Sequence, residues 1–279
     1  MQPPVAKTTR PRRAQVGRVF VDSFTLPAAV DWVMAALQRR ERTPLLIMGP
    51  NAQLVNLASR NEAFASALRS ADLCVPDGIS VVWAARLLGC PMPERVTGGD
   101  LMEALCAACA RQKRKVFFLG GLPGAAARSA TILQQRYPGL AIAGCYCPPL
   151  RFETDPEEVA FIRAMLTHAH PDLLCVAFGA PRQEIWMRKH CLTLPIGAVI
   201  SVGAALDTCA GLRNRAPRWT HNLGLEWLYR LIREPRRLGR RYLLGNPRFA
   251  ATILVQLWRQ RVCRYTVPFT RKGAFTKRT

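Results

Sequence analysis

No stretch of this 279-residue chain approaches the roughly 20 uncharged apolar residues that a membrane-spanning helix needs. An apolar core segment is also missing from Met1 to Arg13, so export through a signal peptide is not expected. Acidic residues are scarce, with 18 Asp and Glu against 40 Lys and Arg and a formal charge of +22. Disorder is not among the options: 49% of the residues are hydrophobic and mean hydropathy is +0.03, enough to build a sizeable core. The length suits one large domain or two small ones. Cysteine is present, at 10 residues, but Cys74, Cys175 and Cys209 sit inside apolar runs, where a free thiol packs as a small hydrophobe. A disulfide framework is not expected without export. Cys106 and Cys109 form a C-x-x-C, yet no second pair lies at zinc spacing and the stretch Leu101 to Ala110 reads as helix, which favours packing over metal or redox use. His168 and His170 read as a solvated helix end.

The charge is unevenly spread. Residues 1–21 hold five basic groups (Lys7, Arg10, Arg12, Arg13, Arg18) and no acid. Residues 22–210 hold 18 basic and 16 acidic groups, whereas residues 211–279 hold 17 basic groups against Glu226 and Glu234. Such asymmetry points to a polyanionic partner: nucleic acid, anionic lipid or a phosphorylated substrate. Trp219, Trp227, Tyr229, Tyr242, Phe249, Trp258 and Tyr265 are interleaved with the arginines. That mixture suits a lipid headgroup region and equally suits single-stranded RNA.

Between residues 44 and 210 short apolar runs alternate with segments of helical period. Leu45–Met48, Leu73–Val75, Val116–Leu119, Leu140–Ala143, Leu173–Phe178 and Val199–Val202 read as strands. The intervening helices are predicted over Asn51–Arg69, Ile79–Leu88, Ala126–Arg136, Pro156–Thr167, Pro181–His190 and Ala204–Ala210. Asp155 before Pro156 is an expected N-cap. Strict alternation predicts an α/β fold with a parallel sheet. After Gly211 it gives way to an Arg-rich, Pro-punctuated helical segment.

Ligands of open parallel sheets bind beyond the carboxyl ends of the strands. The turns expected there are Gly49-Pro50-Asn51, Pro76-Asp77-Gly78, Gly120-Gly121-Leu122-Pro123-Gly124, Gly179 to Glu184 and Gly203 to Asp207. They offer Asn, two Asp and Gln at one face, as a nucleotide-type pocket would. The glycines do not complete G-x-G-x-x-G, and no P-loop is present, which argues against a dehydrogenase or another dinucleotide enzyme. Asp77, between Pro76 and Gly78, is either a turn aspartate bound to its own backbone or a carboxylate kept for chemistry. Arg95 fits a surface ion pair or an anion ligand. Asp207 fits a helix cap or an acceptor of ribose hydroxyls. Gln183 and Glu184 open a helix, where Glu is favoured by the dipole alone.

Taken in order, Pro50-Asn51, Pro76-Asp77-Gly78, Arg95-Val96-Thr97-Gly98, Phe118-Leu119-Gly120-Gly121, Gly179-Ala180-Pro181-Arg182-Gln183-Glu184 and Val202 to Asp207 resemble the WecG/TagA/CpsF family, glycosyltransferase family 26. Arg215-Ala216-Pro217 and the run Glu226 to Arg237 extend the resemblance, which covers about residues 16 to 250. It implies a Rossmann-like catalytic domain over 16–210, a basic membrane-associating helical appendage over 211–279, and a flexible basic segment over 1–15. It further implies inverting transfer of a sugar (glucose, N-acetylmannosamine or N-acetylmannosaminuronate type) from a UDP donor to a polyprenyl-diphosphate-linked saccharide. The setting would be exopolysaccharide or cell-surface polymer synthesis. By the same resemblance Asp77 is the general base, and Asn51 and Arg95 line the catalytic pocket. Gln183, Asp207, Gly120 and Gly121 belong to the nucleotide-sugar site, and Arg230, Arg237 and Arg240 close over the donor diphosphate. Gly49 departs from the hydroxyl residue that members can carry there.

The residues agree with that chemistry. Inversion needs one base for the acceptor hydroxyl while negative charge accumulates on the leaving UDP. Many nucleotide-sugar transferases neutralise that charge with a metal held by D-x-D, which this sequence lacks. Arginines and helix N-termini supply the same stabilisation, so neither metal nor cofactor is expected. The place of action would be the cytoplasmic, inner face of the bacterial membrane, with Phe249–Trp258 docking shallowly at the interface. No nucleic-acid partner is expected: an RNA-binding protein would explain the basic tail but not Asp77 and Asp207, since carboxylates repel a polyanion.

Overall fold

The computed structural model describes residues 12–39, 43–214, 229, 231 and 235–266. A hairpin of β1 (Arg13–Val16) and β2 (Val19–Asp22) leads into α1 (Leu26–Arg39). Then follow β3 (Leu45–Met48), α2 (Ala52–Ala58), α3 (Glu62–Arg69), β4 (Leu73–Cys74), α4 (Ile79–Leu87) and α5 (Gly98–Arg111). Next come β5 (Lys115–Gly120), α6 (Ala125–Arg136), β6 (Ala141–Tyr146), α7 (Pro156–Ala169), β7 (Leu173–Ala177), α8 (Arg182–His190), β8 (Ala198–Ser201) and α9 (Ala205–Cys209). The last described element is α10 (Pro235–Thr266).

Six strands form one sheet in the order β4-β3-β8-β7-β5-β6, every pairing parallel. In β3, Leu46 and Met48 face a cluster built with α2, α3, α4, α7, α8 and the hairpin. Leu45 and Ile47 face the opposite cluster, with α1, α5, α6 and α9. Both faces are covered, so β3, β7 and β8 are buried at every position, and their sequences read as unbroken apolar runs instead of alternating ones. The α/β class and the Rossmann-like parallel sheet expected from the sequence are what the structure has.

Three local differences have clear causes. The helix expected over Asn51–Arg69 is two helices, because the Asn61 side chain accepts from the Phe64 backbone N–H at 2.9 Å and starts α3 afresh. The apolar spacing runs on across the break since both helices bury the same side. Arg13–Gln15, at the end of the segment 1–15 expected to be flexible, belong to β1. Ala14 and Val16 are buried opposite Val19 and Val21, while Arg13 is paired with Asp22 across the hairpin. The hairpin alternation is thus present in the sequence but masked by the arginines around it.

The third difference concerns α10. Phe249 and Ile253 are buried in the core cluster beside α2. Gly245 O accepts from Asn56 Nδ2 at 2.7 Å. Gln256 binds the hairpin turn twice, accepting from Gly17 N–H at 2.9 Å and donating to Gln15 O at 2.8 Å. Residues 245, 249, 253 and 256 therefore form an anchored face. Leu254, Val255 and Trp258 point outward, Trp258 with 65% of its surface exposed. The apolar residues of Phe249–Trp258 divide between core and solvent, so only part of that segment is open to an interface. No helix among the described residues is long and apolar enough to cross a membrane.

Candidate active site at the carboxyl end of the sheet

All the turns singled out in the sequence follow β4, β3, β8, β7 and β5, which are consecutive neighbours in the sheet. They lie at its carboxyl end, and the chain leaves β5 toward β6 on one flank and β7 toward β8 on the other. That reversal makes the β5/β7 junction the switch point of the sheet, the place where ligands of such sheets bind. Strand spacing of about 4.8 Å makes the row from β4 to β5 roughly 19 Å long.

Asp77 stands at the β4 end of this row, half-buried. Its backbone N–H donates to Pro50 O at 3.2 Å, which ties the β4 turn to the β3 turn. Gly49 packs beneath its side chain so closely that an added Cβ would come within 3.1 Å of Asp77 Cβ. A larger residue at 49 has room only if Asp77 shifts by a few tenths of an ångström. Arg95 is far from Asp77 in sequence, but the Val96 N–H donates to Pro76 O at 3.1 Å and so brings Arg95 to the same turn. Asn51 lies against Gly78, where an added Cβ would be 3.3 Å from Asn51 Cβ. Its Oδ1 caps α2, accepting from the N–H groups of Gln53 and Leu54 at 3.1 and 3.2 Å. The amide oxygen of Asn51 is thus committed to the helix, and a pocket role falls to its Nδ2.

Gln183 and Glu184 follow the cis Ala180–Pro181 bond at the β7 end and are both buried. Gln183 Oε1 accepts from the Gly203 N–H at 3.2 Å, and its Nε2 donates to Glu184 Oε1 at 2.7 Å. The pair therefore stitches the β7 turn to the β8 turn. Glu184 Oε2 makes no hydrogen bond among the described residues. Burial raises the Glu184 carboxyl above the ordinary glutamate range, against the opposing hydrogen bond from Gln183. The folded state then holds its proton more tightly than the unfolded chain, so stability from this group is full at low pH and lost as pH rises through the carboxylate range. Glu184→Gln removes that dependence. The variant is expected to gain on the wild type as pH climbs toward neutrality and to lose the advantage in acid. Urea unfolding of both proteins across that range checks it, and a gap constant with pH would sink the assignment.

Asp207, on α9, reaches across to the β5 turn. Oδ1 accepts from the Leu122 N–H at 2.7 Å, while Oδ2 pairs with Arg213 Nε at 3.2 Å. Gly121, at φ +85°, permits this approach: an added Cβ would lie 3.1 Å from Asp207 Oδ1. At Gly120, φ is +100° and an added Cβ would fall 2.8 Å from both Ala177 O and the Phe178 ring. These glycines are required by strand and loop packing, independently of any ligand. Asp207 likewise braces the loop in addition to whatever it binds.

Arg230 lies outside the described residues, as do the side chains of Arg237 and Arg240, whose backbone belongs to α10. The cysteine pair behaves as packing: Cys106 and Cys109 are buried on α5, and burial pushes the Cys109 thiol up to about 12. His168 and His170 are exposed at the end of α7. Sequence reasoning missed the unpartnered oxygen of Glu184 and the contact of Gly49 with Asp77. A buried acid after Gln in a helix first turn looks like an ordinary dipole partner until the tertiary packing is seen.

The family profile described as "Glycosyl transferase WecG/TagA/CpsF family" matches residues 14–263. An N-acetylglucosaminyldiphosphoundecaprenol N-acetyl-beta-D-mannosaminyltransferase of Bacillus spizizenii is 33% identical over 208 residues, covering 75% of this chain and 78% of that protein. Proteins of the same name from Staphylococcus aureus and Bacillus subtilis are each 29% identical. The first covers 80% of this chain and 85% of the relative, the second 73% and 77%.

Proposed function

Because this chain belongs to the WecG/TagA/CpsF family of glycosyl transferases, we propose that it transfers a sugar from a UDP-sugar to a saccharide carried on a polyprenyl diphosphate, with inversion and without a metal. The observation that carries the reading is the row of turns on five adjacent strands, with Asp77 at one end and the β5/β7 switch point toward the other. The switch point suits the nucleotide, and the β4 end suits the acceptor hydroxyl. The relatives' names favour N-acetylmannosamine as the donor sugar and an N-acetylglucosaminyl diphosphate lipid as the acceptor. Synthesis of an exopolysaccharide or another surface polymer follows from such an acceptor.

In this reading Asp77 takes the proton of the acceptor hydroxyl as the new glycosidic bond forms and the bond to the UDP oxygen breaks. Arg95 offers a cation beside that turn, and Asn51 Nδ2 offers a donor. Gln183 and Asp207 frame the switch point through the loops they hold. Arg230, Arg237 and Arg240 neutralise the departing diphosphate, the role a metal fills where D-x-D is present. The enzyme works as a peripheral protein at the inner face of the membrane. Polybasic segments gain about 1 kcal/mol per Lys or Arg near anionic lipid, and the outward Leu254 and Trp258 add apolar contact.

The test is a panel of UDP-sugars offered with N-acetylglucosaminyl diphosphoundecaprenol in anionic vesicles, with products identified by mass. One UDP-sugar is expected to give a β-linked disaccharide lipid at a rate unchanged by EDTA. Loss of turnover in EDTA restored by Mn²⁺ or Mg²⁺ overturns metal independence. Failure of every donor overturns the transferase reading. The same vesicles should sediment the protein, and less of it when Leu254 and Trp258 are both replaced by Ser.

A further inference from the structure

We propose that Glu184 is a positioning residue of the donor site: it fixes which way round the Gln183 amide is held, so that Gln183 offers the bound nucleotide sugar an N–H and not a carbonyl. The inference rests on the reading above, in which Gln183 belongs to the nucleotide-sugar site. A side-chain amide turned by half a rotation keeps its shape and exchanges oxygen for NH₂, so only its hydrogen-bond partners decide which end lies where. Both partners of Gln183 decide alike. The Gly203 N–H can only donate, and it holds Oε1 at 3.2 Å. Glu184 Oε1 accepts from Nε2 at 2.7 Å, and it can do so whether the carboxyl is ionised or carries its proton on Oε2. A flipped amide would set NH₂ against the Gly203 N–H and oxygen against the Glu184 carboxyl, leaving buried groups unsatisfied. Gln183 is 4% and Glu184 1% exposed, so water does not take up the slack.

Packing does not account for the acid. Its neighbours on α8, Trp186 and Met187, are buried in the core cluster, and an apolar residue would fill the same space without a desolvated carboxyl. A glutamate that serves only the helix dipole does so from solvent. The second carboxyl oxygen makes no hydrogen bond among the described residues, so what the acid contributes is its bond to Gln183. That bond takes one Nε2 hydrogen, and no second acceptor for Nε2 is among the described residues. Gln183 lies just beyond the turn after β7, one side of the switch point where ligands of such sheets bind. An N–H held in one direction there suits an acceptor oxygen on the nucleotide sugar.

The experiment is a double-mutant cycle in steady-state kinetics, with the accepted UDP-sugar and N-acetylglucosaminyl diphosphoundecaprenol. Glu184→Met keeps the length of the side chain but not the acceptor oxygen, and should raise the KM for the donor about tenfold, the loss of one oriented hydrogen bond. The KM for the acceptor lipid should stay within about twofold. Glu184→Gln keeps an oxygen for Gln183 Nε2 and should stay within about threefold of wild type. In a Gln183→Met background, Glu184→Met should cost less than about twofold, because the side chain it positions is gone. A second variant does not depend on Glu184→Met folding. The exchange Gln183→Glu with Glu184→Gln preserves the link to Gly203 and the bond within the pair, but leaves position 183 with acceptors only. It should keep a Tm close to wild type and raise the donor KM by about tenfold or more. Wild-type kinetics in that exchange overturn the proposal, as does an equal cost of Glu184→Met in both backgrounds or a loss of about tenfold in Glu184→Gln. Those failures leave the transferase reading intact, whereas a wild type inactive with every UDP-sugar defeats that reading and this one together.

Discussion

Asp77→Asn is expected to lower turnover by about 10²–10⁴, the usual contribution of a positioned general base. The substitution keeps the shape of the side chain and leaves the Asp77 N–H to Pro50 O bond untouched, since that bond uses backbone atoms. Thermal stability should therefore stay close to that of the wild type. A turn aspartate with only a structural role would behave the other way, losing stability and keeping rate. The pH–rate profile separates the two further, because removal of the base abolishes the limb on which activity falls toward acid. Near-native activity of a folded Asp77→Asn protein removes Asp77 from the mechanism. Gly49 sharpens the argument: its missing side chain lets Asp77 sit where an added Cβ would be 3.1 Å away.

The second large effect is on stability, at the edge of the sheet. Asp22 is 1% exposed and accepts two bonds from Arg13, at 2.6 Å from Nε and 2.8 Å from Nη2. Its Oδ2 also accepts from the Cys74 N–H at 2.7 Å, and Arg13 Nη2 donates to Asp72 O at 2.9 Å. The hairpin is thus tied to β4, the strand that presents Asp77. The bond to Asp22, set against burial, holds the Arg13 guanidinium above its ordinary pKa. Arg13→Met leaves a buried carboxylate with one backbone donor and should cost about 3–5 kcal/mol. For a domain of this size that lowers Tm by about 10 °C. Arg13→Met combined with Asp22→Leu should recover much of the loss, because the uncompensated charge is then gone. A single variant within about 0.5 kcal/mol of wild type would show that the pair is energetically idle.

How much of this could be read beforehand depended on the range of the interaction. Strands β3, β5, β7 and β8 were legible because a strand buried on both faces is a short apolar run, and Asp155 was legible because an N-cap acts on residues two and three positions on, here Glu157 and Glu158. The Asn61 cap works at the same short range, yet the continuing apolar spacing hid it. Asn51, Gln183 and Asp207 were found as polar residues in the right turns, but their partners were not. Gln183 binds Gly203, and Asp207 binds Leu122 and Arg213, across turns that only the sheet order makes neighbours. In α10, the division of apolar residues between core and solvent followed from packing on α2 and the hairpin.

Composition and local period by themselves determined the α/β class, the place of each turn along the chain, the packing role of the cysteines and the basic character of the last quarter. Those properties depend on residues within a few positions of one another, where helix and strand geometry leave little choice. Tertiary structure alone decided that Arg95 reaches the Asp77 turn, that Glu184 is a buried acid with an unpartnered oxygen, and that Phe249 and Ile253 belong to the core. Each of those depends on strand order and on which surfaces meet, and a hydrogen bond or a desolvated charge exists only once distant segments have closed around it.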